Sequence, residues 1–256
     1  MIPSQSTITR RASYRRCRLS FFKKVVASSP PTRLPMKQEC IVAGLSYGGL
    51  LAFCRPTDSS WTFIETKDLL KFKDIEILDG KLYAVTTVEQ ASAFLMVYDI
   101  LPAHANGYRV HSKDSFRCYC GRGGPFLVKD SAANELFMIL QKISFRHQSK
   151  NEKLFQVFKL DYCKTNGGPP WEEVVDLGDR MLFLSDASSM FIEDKTLGKN
   201  CIFFAINDEG AGCDDCAFGV HSLTDRNIKL LALPQDTSST IINVFSRTLW
   251  FTPLPW

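Results

Sequence analysis

No apolar run in this 256-residue chain approaches the ~18 residues that a membrane-spanning helix needs, so no helical span is legible in it. It also lacks an N-x-S/T sequon and a secretory hydrophobic segment, so nothing marks it for export. Acid is absent from the N-terminal arm, residues 1–38, which holds nine Lys/Arg and neither Asp nor Glu. The body from position 39 onward holds the other 22 basic side chains and all 27 acidic ones, a net of −5. The formal charge of +4 therefore belongs to the arm, and the mildly acidic body argues against a globally basic nucleic-acid groove. The four histidines, His104, His111, His147 and His221, form no spaced cluster of the kind that ligates zinc. No cofactor, no metal, no nucleic acid and no membrane are expected as partners.

What is present is an ordinary globular composition, 45% hydrophobic and 23% charged, with 19 Phe, which favours strands. The nine cysteines are Cys17, Cys40, Cys54, Cys118, Cys120, Cys163, Cys201, Cys213 and Cys216. An odd count in a chain without export features predicts reduced thiols inside the cell. Cytoplasm or nucleus is the expected location, with a mitochondrion or chloroplast as the alternative. That alternative rests on residues 1–38, whose Arg, Ser and Thr content is that of a transit peptide. Leu19, Phe21, Phe22, Val25 and Val26 would give this arm an apolar face. Ser28-Ser29-Pro30-Pro31 and Pro35 read as a linker into a body spanning residues 39–256.

The body consists of short apolar runs broken by Gly, Pro, Asn and Asp. Ile75-Glu76-Ile77-Leu78 and Lys81-Leu82-Tyr83-Ala84-Val85 flank Asp79-Gly80, a pairing that predicts a hairpin with positive φ at both turn residues. Glu135–Leu140 and Cys201–Ile206 read as buried strands, and a short helix is conceivable over Lys67–Leu70. One phrase recurs, in Phe94–Asp99, Phe155–Asp161 and Phe218–Asp225, and places Val97, Val157 and Val220 at nearly even spacing. Tyr83, Phe137 and Phe203 precede these valines at similar intervals, each within another strand-like run. Trp61 and Trp171 open further runs. Repeated multi-strand units of this kind predict propeller blades.

Several motifs suggest chemistry. Gly44-Leu45-Ser46-Tyr47-Gly48 matches the G-x-S-x-G nucleophile elbow, which would make Ser46 a nucleophile served by a later Asp and a His such as His221. The strands and oxyanion loop that should precede an elbow are missing, and Gly48-Gly49 reads more simply as a hairpin turn. Cys118, Cys120, Cys213 and Cys216 could offer four thiolates to zinc, but a C-x-C and a C-x-x-C pair so far apart in the chain are not specific. Gly121-Arg122-Gly123-Gly124 lacks the Walker residues that would make it a phosphate cradle, and the acidic loop over residues 207–215 breaks the calcium-loop pattern. No catalytic residue is expected, and the chain reads as a non-enzyme.

The ordered set of segments resembles one family. Leu51–Pro56 with Trp61-Thr62, then Phe72–Ile75, Asp79–Val85, Phe126–Val128, Phe155–Asp161, Trp171–Val174, Asp176–Leu184, Asn200–Phe204, Phe218–Val220 and Leu249–Pro253 follow in sequence. This is similar to the plant family once catalogued as domain of unknown function 295, now described as a KIB-type β-propeller and often attached to an F-box. The resemblance covers residues 38–254. It implies an all-β, kelch-like propeller of four-stranded antiparallel blades, and leaves open whether the ring is complete at its N-terminal side. In F-box members it implies a propeller that holds a protein substrate for a cullin-type ubiquitin ligase, so an unidentified protein partner is expected. Arg15–Phe21 resembles only the tail of an F-box, so binding of a Skp-type adaptor and a cullin ligase is not expected.

Overall fold

The computed structural model describes residues 22–29, 40–56, 58–64, 71–88, 92–99, 106–110, 116–117, 124–141, 154–161, 171–193, 199–207 and 216–231. Every regular element among them is a strand, and the strands form four sheets. The first sheet runs β1 (Phe22–Ala27), β2 (Val42–Ser46), β3 (Leu51–Cys54), β4 (Thr62–Phe63). The second runs β5 (Phe72–Leu78), β6 (Lys81–Val88), β7 (Ser92–Asp99), β8 (Asn106–Val110), with β9 (Phe116–Arg117) also on β7. The third runs β10 (Phe126–Asp130), β11 (Glu135–Gln141), β12 (Phe155–Leu160), β13 (Trp171–Val174). The fourth contains β14 (Arg180–Ser185), β15 (Met190–Glu193), β16 (Cys201–Asn207), β17 (Cys216–Ser222) and β18 (Ile228–Leu230). Each sheet is a blade, and the four stand in a ring as a four-bladed β-propeller.

The expected signals coincide with these strands. Asp79 and Gly80 take φ of 49° and 68° in the β5–β6 turn, the left-handed geometry a two-residue hairpin demands. The recurring phrase falls on β7, β12 and β17, each paired with the strand before it: Tyr83 faces Val97, Ile139 faces Val157, and Phe203 faces Val220. Trp171 opens β13, and Trp61 immediately precedes β4. The conceivable helix near Lys67–Leu70 lies outside the described residues.

Two features depart from expectation. Composition places residues 1–38 outside the propeller, yet Phe22–Ala27 form β1 and pair along β2 from Phe22↔Ser46 to Ala27↔Val42. The cause is local: Lys24 and Val26 alternate with Val25 as a half-buried strand does, and Val26 packs into the first core. The fourth blade is not wholly antiparallel. Its order is β15-β14-β16-β17-β18, with β14 parallel to β16 from Met181↔Cys201 to Ser185↔Ala205. Here the hairpin partner β15 lies at the sheet edge and contacts β10, the place that β1, β5 and β10 occupy in their own blades.

Apolar cores fill the junctions between successive blades. Leu45, Phe53, Ile75 and Leu82 join blades one and two. Tyr83, Val97, Leu127 and Met138 join two and three, and Phe137, Phe155, Leu182 and Phe204 join three and four. Strand alternation explains this: Ile75 and Ile77 turn toward blade one while Asp74, Glu76 and Leu78 turn the other way.

Candidate functional site

The innermost strand of each blade is a sheet edge, so its outward N–H and C=O groups would be buried at the axis without ladder partners. Side chains of the same strand, of a neighbouring blade and of the blade across the axis meet them. Lys24 Nζ donates to Leu127 O (3.1 Å), and Leu127 N–H donates to Asp74 Oδ2 (2.7 Å). Lys129 Nζ donates to Ile77 O (3.3 Å), while the N–H groups of Ile75 and Ile77 donate to the Asp74 and Glu76 carboxylates. Lys24, Asp74 and Glu76 are each only 4% exposed.

The same charges form a ring of cross-blade ion pairs. Lys24 meets Asp74 at 2.9 Å and Glu76 at 4.0 Å, from blade one to blade two. Glu76 meets Lys129 at 3.3 Å, from two to three. Asp130 meets Arg180 at 2.7 Å, from three to four. Asp186, just beyond β14, meets Lys23 at 3.6 Å, from four back to one. Burial alone would push the Asp130 carboxyl up, but hydrogen bonds from Arg180 and from the Ala133 and Ala132 N–H groups outweigh it, and Asp130 lies below its ordinary range. The Arg180 guanidinium also lies 5.4 Å from the ring centroids of both Phe137 and Phe191. Near the axis two lysines offset two carboxylates, and those groups also bind the strand edges. Among the described residues this arrangement pairs the axial charges with one another and holds blades together.

The end of the axis where β1 and β5 begin is different. Both strands carry a β-bulge there, between Phe22 and Lys24 in β1 and between Phe72 and Asp74 in β5. Each bulge contains a lysine, and a bulge re-aims the side chain it carries. Lys23 Nζ approaches Lys73 O at 3.5 Å, and the Lys73 side chain is exposed. The β2–β3 hairpin abuts this place: Phe72 N–H donates to Gly49 O (3.0 Å), and a Cβ on Gly49, at φ +77°, would lie 2.9 Å from Lys71 Cα. The hairpin presents Tyr47 at 57% and Leu50 at 48% exposure beside the exposed Lys71.

The residues singled out by sequence do not converge on one place. Ser46 ends β2 and is buried, and its Oγ accepts the Leu50 N–H (2.9 Å) within the hairpin. The next element is strand β3, not the helix that a nucleophile elbow requires, so the turn reading of Gly48-Gly49 holds. His221 belongs to blade four, faces Ile202 and Ile228 across the sheet, and is 1% exposed. Its Nδ1 has no hydrogen-bond partner, and burial pushes its pKa down to about 4 despite a hydrogen bond to the Asn227 backbone. Ser46 and His221 thus sit in different blades, each absorbed in its own sheet. Cys118, Cys120 and Cys213 lie outside the described residues, as do His104, His111 and His147. Cys40, Cys54 and Cys201 are free thiols, and burial raises the pKa of Cys54 and Cys201. No group of three metal-ligating side chains occurs among the described residues.

Sequence reasoning missed the axial ring. Its signal was the acid pair in Phe72-Lys73-Asp74-Ile75-Glu76-Ile77-Leu78, where carboxylates occupy positions that strand alternation would give to the core.

The family comparison agrees with the architecture. A family model described as KIB1-4 beta-propeller matches residues 2–246. An Arabidopsis thaliana protein, F-box protein At2g17036, is 26% identical over an alignment of 227 residues that covers 83% of this chain and 51% of that protein. The chain thus spans about half the length of this curated relative. A solved S. cerevisiae assembly of dbp5 with nup159, gle1, IP6 and ADP contains a chain matching at a TM-score of 0.38 and 6% identity, over 74% of this chain and 62% of that one. The blades in order, and the family match across nearly all of the sequence, place this chain in the KIB1-4 beta-propeller family.

Proposed function

We propose that this chain is a non-enzymatic protein-interaction module, a propeller that holds a protein partner as the substrate-binding propellers of F-box proteins do. The observation that carries the reading is the family match over residues 2–246, supported by similarity to an Arabidopsis F-box protein. The chemistry of the axis supports it too. Its charges pair with one another and with strand edges, and Ser46 Oγ is engaged by the hairpin it stabilises. A cullin-type ligase role belongs to this proposal only if a Skp-type adaptor joins the complex. An organellar role through a cleaved arm is less well supported, because removing residues 1–38 would take out β1 and with it Lys24.

The test is affinity purification of the tagged chain from plant extract, run beside an ester-substrate screen. A protein should co-purify reproducibly with the folded chain and be absent when the same chain is heat-denatured before the pull-down. An adaptor of the Skp type in the same eluate would support the ligase half, and its absence would remove it. Ester turnover that disappears in Ser46→Ala would replace the whole reading with a hydrolase.

A further inference from the structure

The axis end bearing the two bulges is unlike the rest of the molecule. The body of the chain is acidic, yet among the described residues three lysines lie together here, Lys23 and Lys73 on the bulges and Lys71 beside the hairpin, with Asp186 3.6 Å from Lys23. Deeper acids do not offset them, because Asp74 and Glu76 are already paired with Lys24 and Lys129. Beside the lysines the hairpin presents Tyr47 and Leu50, exposed at 57% and 48%. Gly49 joins the two groups, since its carbonyl accepts the Phe72 N–H and its Cα leaves no room for a side chain against Lys71. Two adjacent inner strands shift register at a lysine, Lys23 in β1 and Lys73 in β5, at the same end of the axis.

We infer that the β2–β3 hairpin and the bulged ends of β1 and β5 form the docking surface for a peptide segment rich in Asp and Glu with an apolar anchor residue. The lysines complement the acids and steer their approach, and Leu50 and Tyr47 receive the anchor. Three lysines at one end form a spot rather than a track, which suits a short acidic segment better than a nucleic-acid backbone. The inference rests on the protein-interaction reading and supplies its face and partner chemistry.

The test is selection of a phage-displayed random peptide library on the intact chain, followed by binding of the enriched peptides to variants whose melting curves match the wild type. Peptides enriched in Asp and Glu around one apolar residue are expected. Lys71→Glu with Lys73→Glu should weaken them about tenfold or more, with less loss at high salt, and Leu50→Ser about fivefold. If peptides are enriched but are not acidic, or bind the variants as well as the wild type, this surface is wrong while the interaction reading stands. If no peptide is enriched, the peptide-docking inference falls, and the co-purification decides the interaction reading separately. If a homopolymeric DNA oligonucleotide binds as tightly as the peptides at physiological salt, the lysines serve a polyanion and the inference is overturned.

Discussion

The junction between blades two and three and the junction between blades four and one are built differently. The first has an apolar core of Tyr83, Val97, Leu127 and Met138, and its axial end is locked by Glu76 to Lys129 and by Asp74 to the Leu127 N–H. The second has the Lys23–Asp186 pair, with side chains 25% and 26% exposed, and no buried apolar cluster among the described residues. Val25 on blade one, and Leu230 and Leu231 at the outer edge of blade four, stay about half exposed. A ring of similar blades therefore need not be uniformly stable. Opening should begin at the seam where the described residues supply an ion pair and no apolar cluster, and the firmly packed junctions should open last.

The largest test of this contrast is Asp74→Ala. It removes the nearest carboxylate from buried Lys24, leaving Glu76 at 4.0 Å, and leaves the Leu127 N–H without its acceptor. Removing one partner of a buried pair costs about 4 kcal/mol. Chemical denaturation should show that loss, and adding Lys24→Met should recover part of it because no lone charge is then buried. A loss under ~1 kcal/mol, as for a surface pair, would show that the axial ring is not dry.

His221 sharpens the contrast from the blade-four side. Its folded pKa of about 4 lies below the ordinary 6.5, so the unfolded chain takes up the proton first as pH falls. The stabilisation is complete above about pH 6.5 and is lost progressively toward about pH 4, amounting to about 3 kcal/mol. Melting curves across that window should show the loss, and His221→Leu should flatten it. Amide exchange at mildly acid pH should accelerate in β16–β18 before β5 and β6.

A smaller effect is expected at Gly219, in the same strand as His221. A Cβ there would lie 2.5 Å from Phe204 Cζ and 2.9 Å from the Lys229 carbonyl oxygen. The ring can rotate, but the backbone oxygen cannot move without disturbing β18. Gly219→Ala should cost about 2 kcal/mol in thermal melts, as overpacking does.

These contrasts also show what was legible in the sequence. Hairpins and repeat phrases could be read because they depend on local rules: Asp79-Gly80 demands its turn, and the phrase at Val97, Val157 and Val220 repeats one strand environment. The first inner strand was hidden because its neighbours are Arg, Ser and Pro, so composition assigned Phe22–Ala27 to a tail. Its burial comes from β2 and from carboxylates on the next blade, both distant in the chain. Nor could the parallel β14–β16 pairing be foreseen, since Arg180–Ser185 has the same pattern in either direction. At the candidate surface, the Gly48-Gly49 turn was visible, but the bulges at Lys23 and Lys73 exist only in the register between strands.

The smallest effect tests the seam itself. Lys23→Ala removes the ion pair with Asp186 but leaves Lys24 and the axial network intact. Because the pair is partly solvated, global stability should fall by no more than about 1 kcal/mol, and added salt should erase the difference. Local opening should respond more than global unfolding does. The seam has no apolar cluster among the described residues to hold it once the charges part, so amides of β1 should exchange faster while those of β10 and β11 keep their rates. Equal acceleration in all blades would mean that the ring opens as one unit. Unchanged exchange in β1 would mean that its pairing with β2 and the Lys24 contacts hold the strand without Lys23. Either result would locate the weak point somewhere other than the junction where the last blade meets the first.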